Sequence, residues 1–158
     1  TYSITKIAAE GVARWGARRF DLPTTVARLS VPYGGAFRWP AFHLDMMMRD
    51  KAVPVYVEEP SEYNPIHDDD ILATLPAMLA AATVPATIVN WGGDEETSIE
   101  EWCAYMAGLV GKDASFVVTD RTIASVTTDN TRLHELVGHS KVGWRDGMAR
   151  MVKANYSP

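Results

Sequence analysis

Short apolar and β-branched segments alternate with longer helical segments along this chain, and this alternation limits the folds available to it. Apolar side chains recur at three- and four-residue spacing across residues 3–20, which predicts an amphipathic helix. Residues 22–31 are rich in Thr, Val and Leu and lead into a Pro-Tyr-Gly-Gly turn, which predicts a strand. Further strands are predicted at 86–93 and 114–119. A helix followed closely by a strand and a glycine turn is typical of an α/β fold.

Terminal signals locate the other helices. Asp69 or Asp70 fits the N-cap of a helix that begins near them. Ser98 stands three residues before Glu101, which is the spacing of a capping box, and Gly111 supplies a residue that can end the same helix. Two more helices are predicted at 128–138 and 144–156.

Size and charge exclude several classes of function. A chain of 158 residues with 47% hydrophobic content is long enough for one globular domain with a sizeable core. Its net charge of −5 and its lack of a basic stripe argue against a nucleic-acid partner. The single cysteine, Cys103, cannot form an internal disulfide, which indicates a reducing, cytoplasmic setting, and we expect it to be a packing residue.

The uncharged stretch at 71–89 raises the question of a membrane span. It is 19 residues long, but it contains two prolines and three threonines and follows a run of aspartates. We therefore predict a buried helix followed by a buried strand, and no membrane partner.

Residues 36–65 differ in composition from the rest of the chain. Aromatic residues, three consecutive methionines and four prolines occur together there. This composition fits a lobe that faces a substrate, and it fits equally a subdomain whose methionines fill gaps in the core.

Tyr2 and Lys6 carry the clearest chemical signal. They are four residues apart, so on a helix their side chains lie on one face, about one turn apart. An ammonium group near a phenol favours the phenolate, which lets a tyrosine act as a general acid or base towards a substrate hydroxyl or carbonyl. The pair alone is a weak signal, and its sequence context has to support it.

That context resembles the extended short-chain dehydrogenase/reductases, the NAD-dependent epimerase/dehydratase family. The helix that carries Tyr2 and Lys6 is similar to the family's Tyr-x-x-x-Lys helix, and "RLSVPYGG" (28–35) is similar to its Arg-Leu-x-Asn-x-Tyr-Gly-Pro turn. Further similar segments follow in order: "PVYVEEPSEYNPIHDDDI", "IVNWGG" with "TSIEEW", "DNTRLHELVG" and "WRDGMARMV". The resemblance covers nearly the whole chain and corresponds to the family's C-terminal half, beginning at the Tyr-x-x-x-Lys motif.

The resemblance implies a fold and a division of the chain. The fold would be the C-terminal part of a Rossmann-type doubly wound sheet plus a small α/β substrate-binding lobe. Residues 1–35 would end the dinucleotide-binding domain, and 36–66 would form a substrate lobe. Residues 67–93 would return to the core as a helix and a strand, and 94–158 would supply a C-terminal substrate lobe and the closing helices.

The resemblance also implies an NAD(P)-dependent oxidoreductase, epimerase or dehydratase. Tyr2 would be the catalytic acid/base, and Lys6 would bind the nicotinamide ribose. The cofactor, NAD or NADP, would contact Tyr2, Lys6, Leu29, Ser30 and Val31. The substrate, a small molecule or sugar derivative with a carbonyl or hydroxyl group, would contact Val31, Trp39, Phe42, Tyr56 and Tyr63.

Two positions depart from the family pattern. Val31 stands where relatives have a substrate-contacting asparagine, and Tyr63 stands where sugar-nucleotide enzymes have an arginine that binds the diphosphate. A charge-assisted contact to phosphate is lost with that arginine. A less charged carbonyl or alcohol is therefore as good a candidate substrate as a nucleotide sugar.

A Gly-x-x-Gly-x-x-Gly motif, which in this family receives the pyrophosphate, does not occur in this sequence. We therefore expect an N-terminal half of the fold, on the same or a separate chain, to be a partner, and the chain by itself to bind the cofactor poorly and to be inactive. A homodimer formed through the tyrosine-bearing helix is also expected. The alternative is a non-catalytic relative that senses dinucleotide or binds a protein.

No metal site is predicted. His67 with the aspartates that follow it is interpreted as a helix-capping segment, since neighbouring carboxylates within one turn cannot all face one ion. His43, His134 and His139 show no partner pattern and are interpreted as surface or packing residues.

Overall fold

The computed structural model describes residues 2–58 and 60–156, so the outer ends of the predicted segments 1–35 and 94–158, and one residue of 36–66, lie outside the described residues. Six helices are present among the described residues: α1 Tyr2–Phe20, α2 Trp39–Met48, α3 Asp68–Ala80, α4 Ile99–Val110, α5 Thr131–Val137 and α6 Trp144–Tyr156. Eight strands accompany them: β1 Thr25–Leu29, β2 Val31–Tyr33, β3 Val53–Tyr56, β4 Glu62–Tyr63, β5 Pro65–His67, β6 Thr87–Trp91, β7 Thr97–Ser98 and β8 Phe116–Thr119.

The strands form four pairs, three of them parallel. β1 pairs with β6 from Thr25 opposite Thr87 to Leu29 opposite Trp91. β2 pairs with β5, and β3 pairs with β8, both in parallel, whereas β4 and β7 are antiparallel. Parallel partners require crossover connections, which the helices between them provide. The predicted α/β class is therefore confirmed.

The strand predicted at 22–31 is in fact two strands with different partners. β1 runs along β6, and its direct continuation, β2, runs along β5. Ser30 lies between the two, and its backbone N–H donates to the carbonyl of Trp91 at 3.0 Å. The chain thus changes partner strand at Ser30.

Most of the core lies between α2, β3, α4 and α6. Trp102, Leu44 and Val53 are fully buried there, and Cys103 is buried with them, which confirms the packing prediction. Flexible methionines fill this core: Met47, Met106, Met148 and Met151. A smaller cluster around Val89 and Trp91 joins α3 and α5 to β6.

The helix ends follow local signals with one exception. The capping box of Ser98 and Glu101 is present, and Gly111 ends α4 in the left-handed region at φ 67°, both as predicted. The prediction of Asp69 or Asp70 as the N-cap of α3 was wrong. His67 is the cap, and its Nδ1 accepts the backbone N–H of Asp69 at 3.0 Å. Asp68, Asp69 and Asp70 follow this cap in the first turn of α3, where the helix dipole favours negative charge.

Two helices present apolar side chains to solvent. In α1 only Ala17 is buried, and the apolar residues that predicted the helix are exposed: Ile4, Ile7, Val12 and Trp15. In α3, Leu72 and Leu79 are exposed, so the prediction of a buried helix within 71–89 was wrong for the side of α3 that carries these two residues. The strand predicted in the same stretch is present as β6. Among the described residues no helix combines the length and the apolar character that a membrane span requires.

Candidate active site

Tyr2 and Lys6 lie on one face of α1, as their spacing predicts. The Lys6 ammonium nitrogen is 5.2 Å from the centroid of the Tyr2 ring, which brings the positive charge over the phenol. Both side chains are exposed, and 69% of the Tyr2 surface is accessible. The phenol is therefore free to reach a bound molecule.

The face of α1 below Tyr2 borders an open cleft of about 500 Å³. Lys6, Glu10 and the small residues Ala9 and Ala13 line its helical wall, and residues 24–29 line the other wall. Arg28 crosses this cleft as a two-point ion pair, with Nε 2.7 Å and Nη2 2.8 Å from the carboxylate oxygens of Glu10. The hydrogen bond from Arg28 is the main cause of a lowered pKa at Glu10.

A second cavity of about 450 Å³ lies on the other side of Tyr2. Six of the residues predicted to contact cofactor or substrate line it together: Tyr2, Leu29, Ser30, Val31, Trp39 and Tyr63. Tyr2, Arg28 and Leu29 border both this cavity and the cleft, so the Tyr2 phenol lies where the two spaces meet. The change of partner strand at Ser30 brings Leu29 and Val31 to this junction.

Aromatic residues form one wall of the cavity. The Trp39 ring lies 5.1 Å from the Tyr63 ring in an edge-to-face arrangement. The Tyr63 hydroxyl lies 2.7 Å from the carbonyl oxygen of Ile123 and 3.1 Å from that of Ala124. Burial, followed by the charge of Glu100, raises the pKa of Tyr63 to about 12. Tyr63 is thus a neutral wall residue that holds the 123–124 segment in place.

Two predicted substrate residues lie elsewhere. Phe42 is on α2 beside Asp45 and Tyr156, with 57% of its surface exposed, and it borders a different cleft. Tyr56 is at the end of β3, opposite Thr119. Neither is among the residues that line the cavity beside Tyr2.

Several cavity residues were missed because they come from distant segments. Asn90 on β6 and Thr127 and Thr128 line the cavity together with Val31. Thr128 is held by its backbone N–H, which donates to the Asn64 side-chain oxygen at 2.7 Å. One signal was available in the sequence: Asn90 is an amide residue between the apolar Val89 and Trp91 in a predicted strand.

The arrangement can exchange a proton with a bound hydroxyl or carbonyl group. Tyr2 offers a phenol at the mouth of a cavity whose walls are largely apolar, and Lys6 lies behind it on the side of the cleft. Arg28 is the one charged residue among the described residues that line the cavity, and Glu10 already pairs with it. The cavity therefore offers few charges with which to bind a strongly anionic group.

Comparison with solved structures defines the fold. The UDP-glucuronic acid 4-epimerase from Bacillus cereus in complex with NAD matches with a TM-score of 0.78 and 20% identity over 98% of this chain and 51% of that one. The dTDP-glucose 4,6-dehydratase DesIV from Streptomyces venezuelae, with NAD bound, matches at 0.80 and 20% identity over 98% and 51%. MoeE5 in complex with UDP-glucuronic acid and NAD matches at 0.77 and 23% identity over 96% and 54%.

The chain therefore has the fold of the C-terminal half of the Rossmann-type, NAD-dependent epimerases and dehydratases, as the resemblance implied. It spans about half the length of the solved structures that it matches. No protein-family model and no curated protein matches the sequence.

Proposed function

We propose that this chain carries the acid/base side of an NAD(P)-dependent oxidoreductase, epimerase or dehydratase. The observation that supports this most directly is the position of Tyr2, whose phenol borders both the cleft with Lys6 and the cavity with Val31, Trp39 and Tyr63. Tyr2 exchanges a proton with the substrate oxygen, and Lys6 supplies the positive charge that stabilises the phenolate.

The cofactor proposal is NAD or NADP, whose nicotinamide accepts or returns a hydride. The residues that fit its nicotinamide end are Lys6, which offers hydrogen-bond donors to a ribose, and the backbone at Leu29, Ser30 and Val31. Ala9 and Ala13 line the helical wall of the cleft beside Lys6, and their small side chains leave room for a ligand. Solved structures with this fold contain NAD, which supports the same choice.

The substrate we propose is a small molecule or sugar derivative that reacts at a carbonyl or hydroxyl group. Two features favour a weakly charged one. The only cation that lines the cavity within the described residues, Arg28, is bound to Glu10 at two points. Tyr63 directs its hydroxyl to backbone carbonyls rather than into the cavity. A diphosphate would have to displace Glu10 to gain a charged partner.

We further propose that the other half of the fold, on the same or a separate chain, completes this site. β1 is hydrogen-bonded to a strand along one edge only among the described residues, and much of it is exposed. The cleft between α1 and β1 is open. Strands from the other half, paired to the free edge of β1, would border that cleft and carry most of the cofactor-binding surface. The isolated 158 residues are then expected to bind NAD more weakly than micromolar, which isothermal titration measures.

The decisive experiment compares Tyr2→Phe with Tyr56→Phe in the protein completed by its other half. Turnover of simple secondary alcohols with NAD or NADP is followed at 340 nm, where the reduced cofactor absorbs. Turnover of UDP-glucuronic acid and dTDP-glucose is followed by chromatography of the sugar nucleotide product, because epimerisation and dehydration return the hydride and leave no net reduced cofactor. Tyr2→Phe should lower kcat by about 100-fold or more, since a positioned acid/base contributes that much, while the Kd for NAD stays the same. Tyr56→Phe, the matched control, should leave kcat unchanged.

Two results would contradict the proposal. Full activity in Tyr2→Phe would remove Tyr2 from the mechanism. Tight NAD binding with no turnover of any substrate class would favour the alternative, a non-catalytic dinucleotide sensor.

A further inference from the structure

A cluster of one carboxylate and two imidazoles lies outside the proposed active site. Asp94 follows β6, His134 lies on α5, and His139 follows the end of α5. Nε2 of His134 is 2.8 Å from one carboxylate oxygen of Asp94, and Nδ1 of His139 is 2.8 Å from the other. The two imidazole centroids are 4.2 Å apart. The sequence suggested no such partner because Asp94 lies 40 residues from His134.

Hydrogen bonds hold the backbone next to Asp94 and next to His139. The backbone N–H of Asp94 donates to the Ser140 hydroxyl at 3.1 Å. The carboxylate of Asp70, which is 4% exposed, accepts the backbone N–H groups of Lys141 and Val142. These bonds fix the segments that carry Asp94 and His139, so two of the three side chains are pre-positioned.

A further hydrogen bond involves Glu95, the residue after Asp94. The carboxylate of Glu95 accepts the backbone N–H of Trp144 at 2.7 Å, at the start of α6. The segment that carries His139 is thus held by side chains from both α3 and the β6–β7 connection.

The donor set is that of a transition-metal site. One atom from each of the three side chains lies within 4.8 Å of the others. In a tetrahedral zinc site with bonds of about 2.0 to 2.1 Å the ligand atoms are about 3.3 Å apart. Each 2.8 Å distance joins a histidine nitrogen to a different oxygen of Asp94, and the three ligand atoms lie within 4.8 Å of one another, so side-chain rotation has to bring them to that spacing around one ion. Imidazole nitrogen with carboxylate oxygen suits zinc and its neighbours better than magnesium or calcium.

We propose that Asp94, His134 and His139 bind one divalent transition-metal ion of the zinc class. The metal replaces the two histidine–carboxylate hydrogen bonds and joins α5 and the 138–143 segment to the β6–β7 connection. Three protein ligands leave a fourth position for water. Because Thr127 and Thr128, which precede α5, line the cavity beside Tyr2, the metal also stabilises that wall. The proposal does not depend on the proposed enzymatic function.

Metal binding by this chain can be tested directly, since the sequence contains only four histidines. The other two, His43 and His67, are buried and do not compete for added metal. The untagged 158-residue chain, freed of metal with a chelator, is titrated with Zn²⁺ by calorimetry, and its thermal unfolding is measured with and without Zn²⁺. We expect one Zn²⁺ per chain and a raised Tm, and no comparable binding of Mg²⁺.

Three variants decide the outcome. His139→Gln and Asp94→Asn should each weaken Zn²⁺ binding more than about tenfold, since each removes a ligand. The side chain of His139 is 74% exposed, so its variant keeps the fold, which circular dichroism verifies. Glu135→Gln removes an equal charge from an exposed position next to His134 and should bind Zn²⁺ as the parent does.

Equal Zn²⁺ binding by the parent and by His139→Gln would overturn the proposal. So would the absence of Zn²⁺ binding by the parent, which would leave the cluster as a pair of hydrogen bonds.

Discussion

The indole nitrogen of Trp102 donates a hydrogen bond of 3.1 Å to Nδ1 of His43, and the two rings stack with their centroids 5.8 Å apart. Since an indole N–H only donates, Nδ1 must be the unprotonated nitrogen and His43 is neutral in the folded protein. His43 is 1% exposed, and this burial lowers its pKa to about 4.

This relationship predicts a loss of stability in mild acid. The pKa of His43 is about 6.5 in the unfolded chain and about 4 in the folded one, so the unfolded state binds the proton first. The contribution of His43 is complete above pH 6.5 and declines as the pH falls towards 4, by about 3 kcal/mol in total. Urea unfolding between pH 7.5 and 4.5 measures it.

The matching variant is His43→Asn, whose amide oxygen can accept the Trp102 hydrogen bond without titrating. We expect this variant to be less stable at pH 7.5 but to lose less stability than the parent down to pH 4.5. Parallel stability curves for the two proteins would assign the acid sensitivity to other groups.

Two helical glycines predict opposite effects of the same substitution. A Cβ at Gly147 in α6 would collide with the ring and hydroxyl of Tyr33, which is fully buried. A Cβ at Gly108 in α4 would meet no atom of the described residues within 4 Å. Gly147→Ala should therefore lower the free energy of unfolding by about 1 to 3 kcal/mol through overpacking. Gly108→Ala should raise it by about 0.5 to 1 kcal/mol through helix propensity.

Thermal and urea unfolding of both variants measure these changes. A gain of stability in Gly147→Ala would show that α6 can move away from Tyr33 at no cost.

Local features were predicted from the sequence because their causes are local. Ser98 and Glu101 satisfy each other's backbone groups within one turn, so the start of α4 could be read from four residues. The placement of Tyr2 and Lys6 on one face likewise needs only the helical period.

Features that depend on distant segments could not be predicted. Asp70 does not cap its own helix because its carboxylate binds the backbone of Lys141 and Val142, more than 70 residues away. Phe42 was grouped with Trp39 as a substrate residue, yet the two residues border different cavities. In both cases the contacts of the side chain depend on which distant segment packs against it. The residue type alone does not indicate that segment.

The Tyr63 hydroxyl predicts a local effect on the cavity wall. Tyr63→Phe removes the hydrogen bonds to the Ile123 and Ala124 carbonyls and should cost about 1 kcal/mol. The loss should appear as faster amide hydrogen exchange in residues 121–127, with little change in α4. Tyr56→Phe is the control, and equal exchange changes in both variants would contradict the anchoring role of Tyr63.

The exposed apolar face of α1 predicts self-association. Ile4, Ile7 and Trp15 lie on the side of the helix away from the cleft and are each more than 60% exposed. An apolar stripe of this kind on a helix is stabilised by packing against a second helix, and two copies of the chain would bury it symmetrically. Light scattering after size-exclusion chromatography should give a dimer that Ile7→Glu converts to a monomer. Leu72→Glu, at an equally exposed position on α3, should leave the dimer intact. A parent chain that stays monomeric at high concentration, or a dimer that both variants disrupt, would show that this face is not the interface.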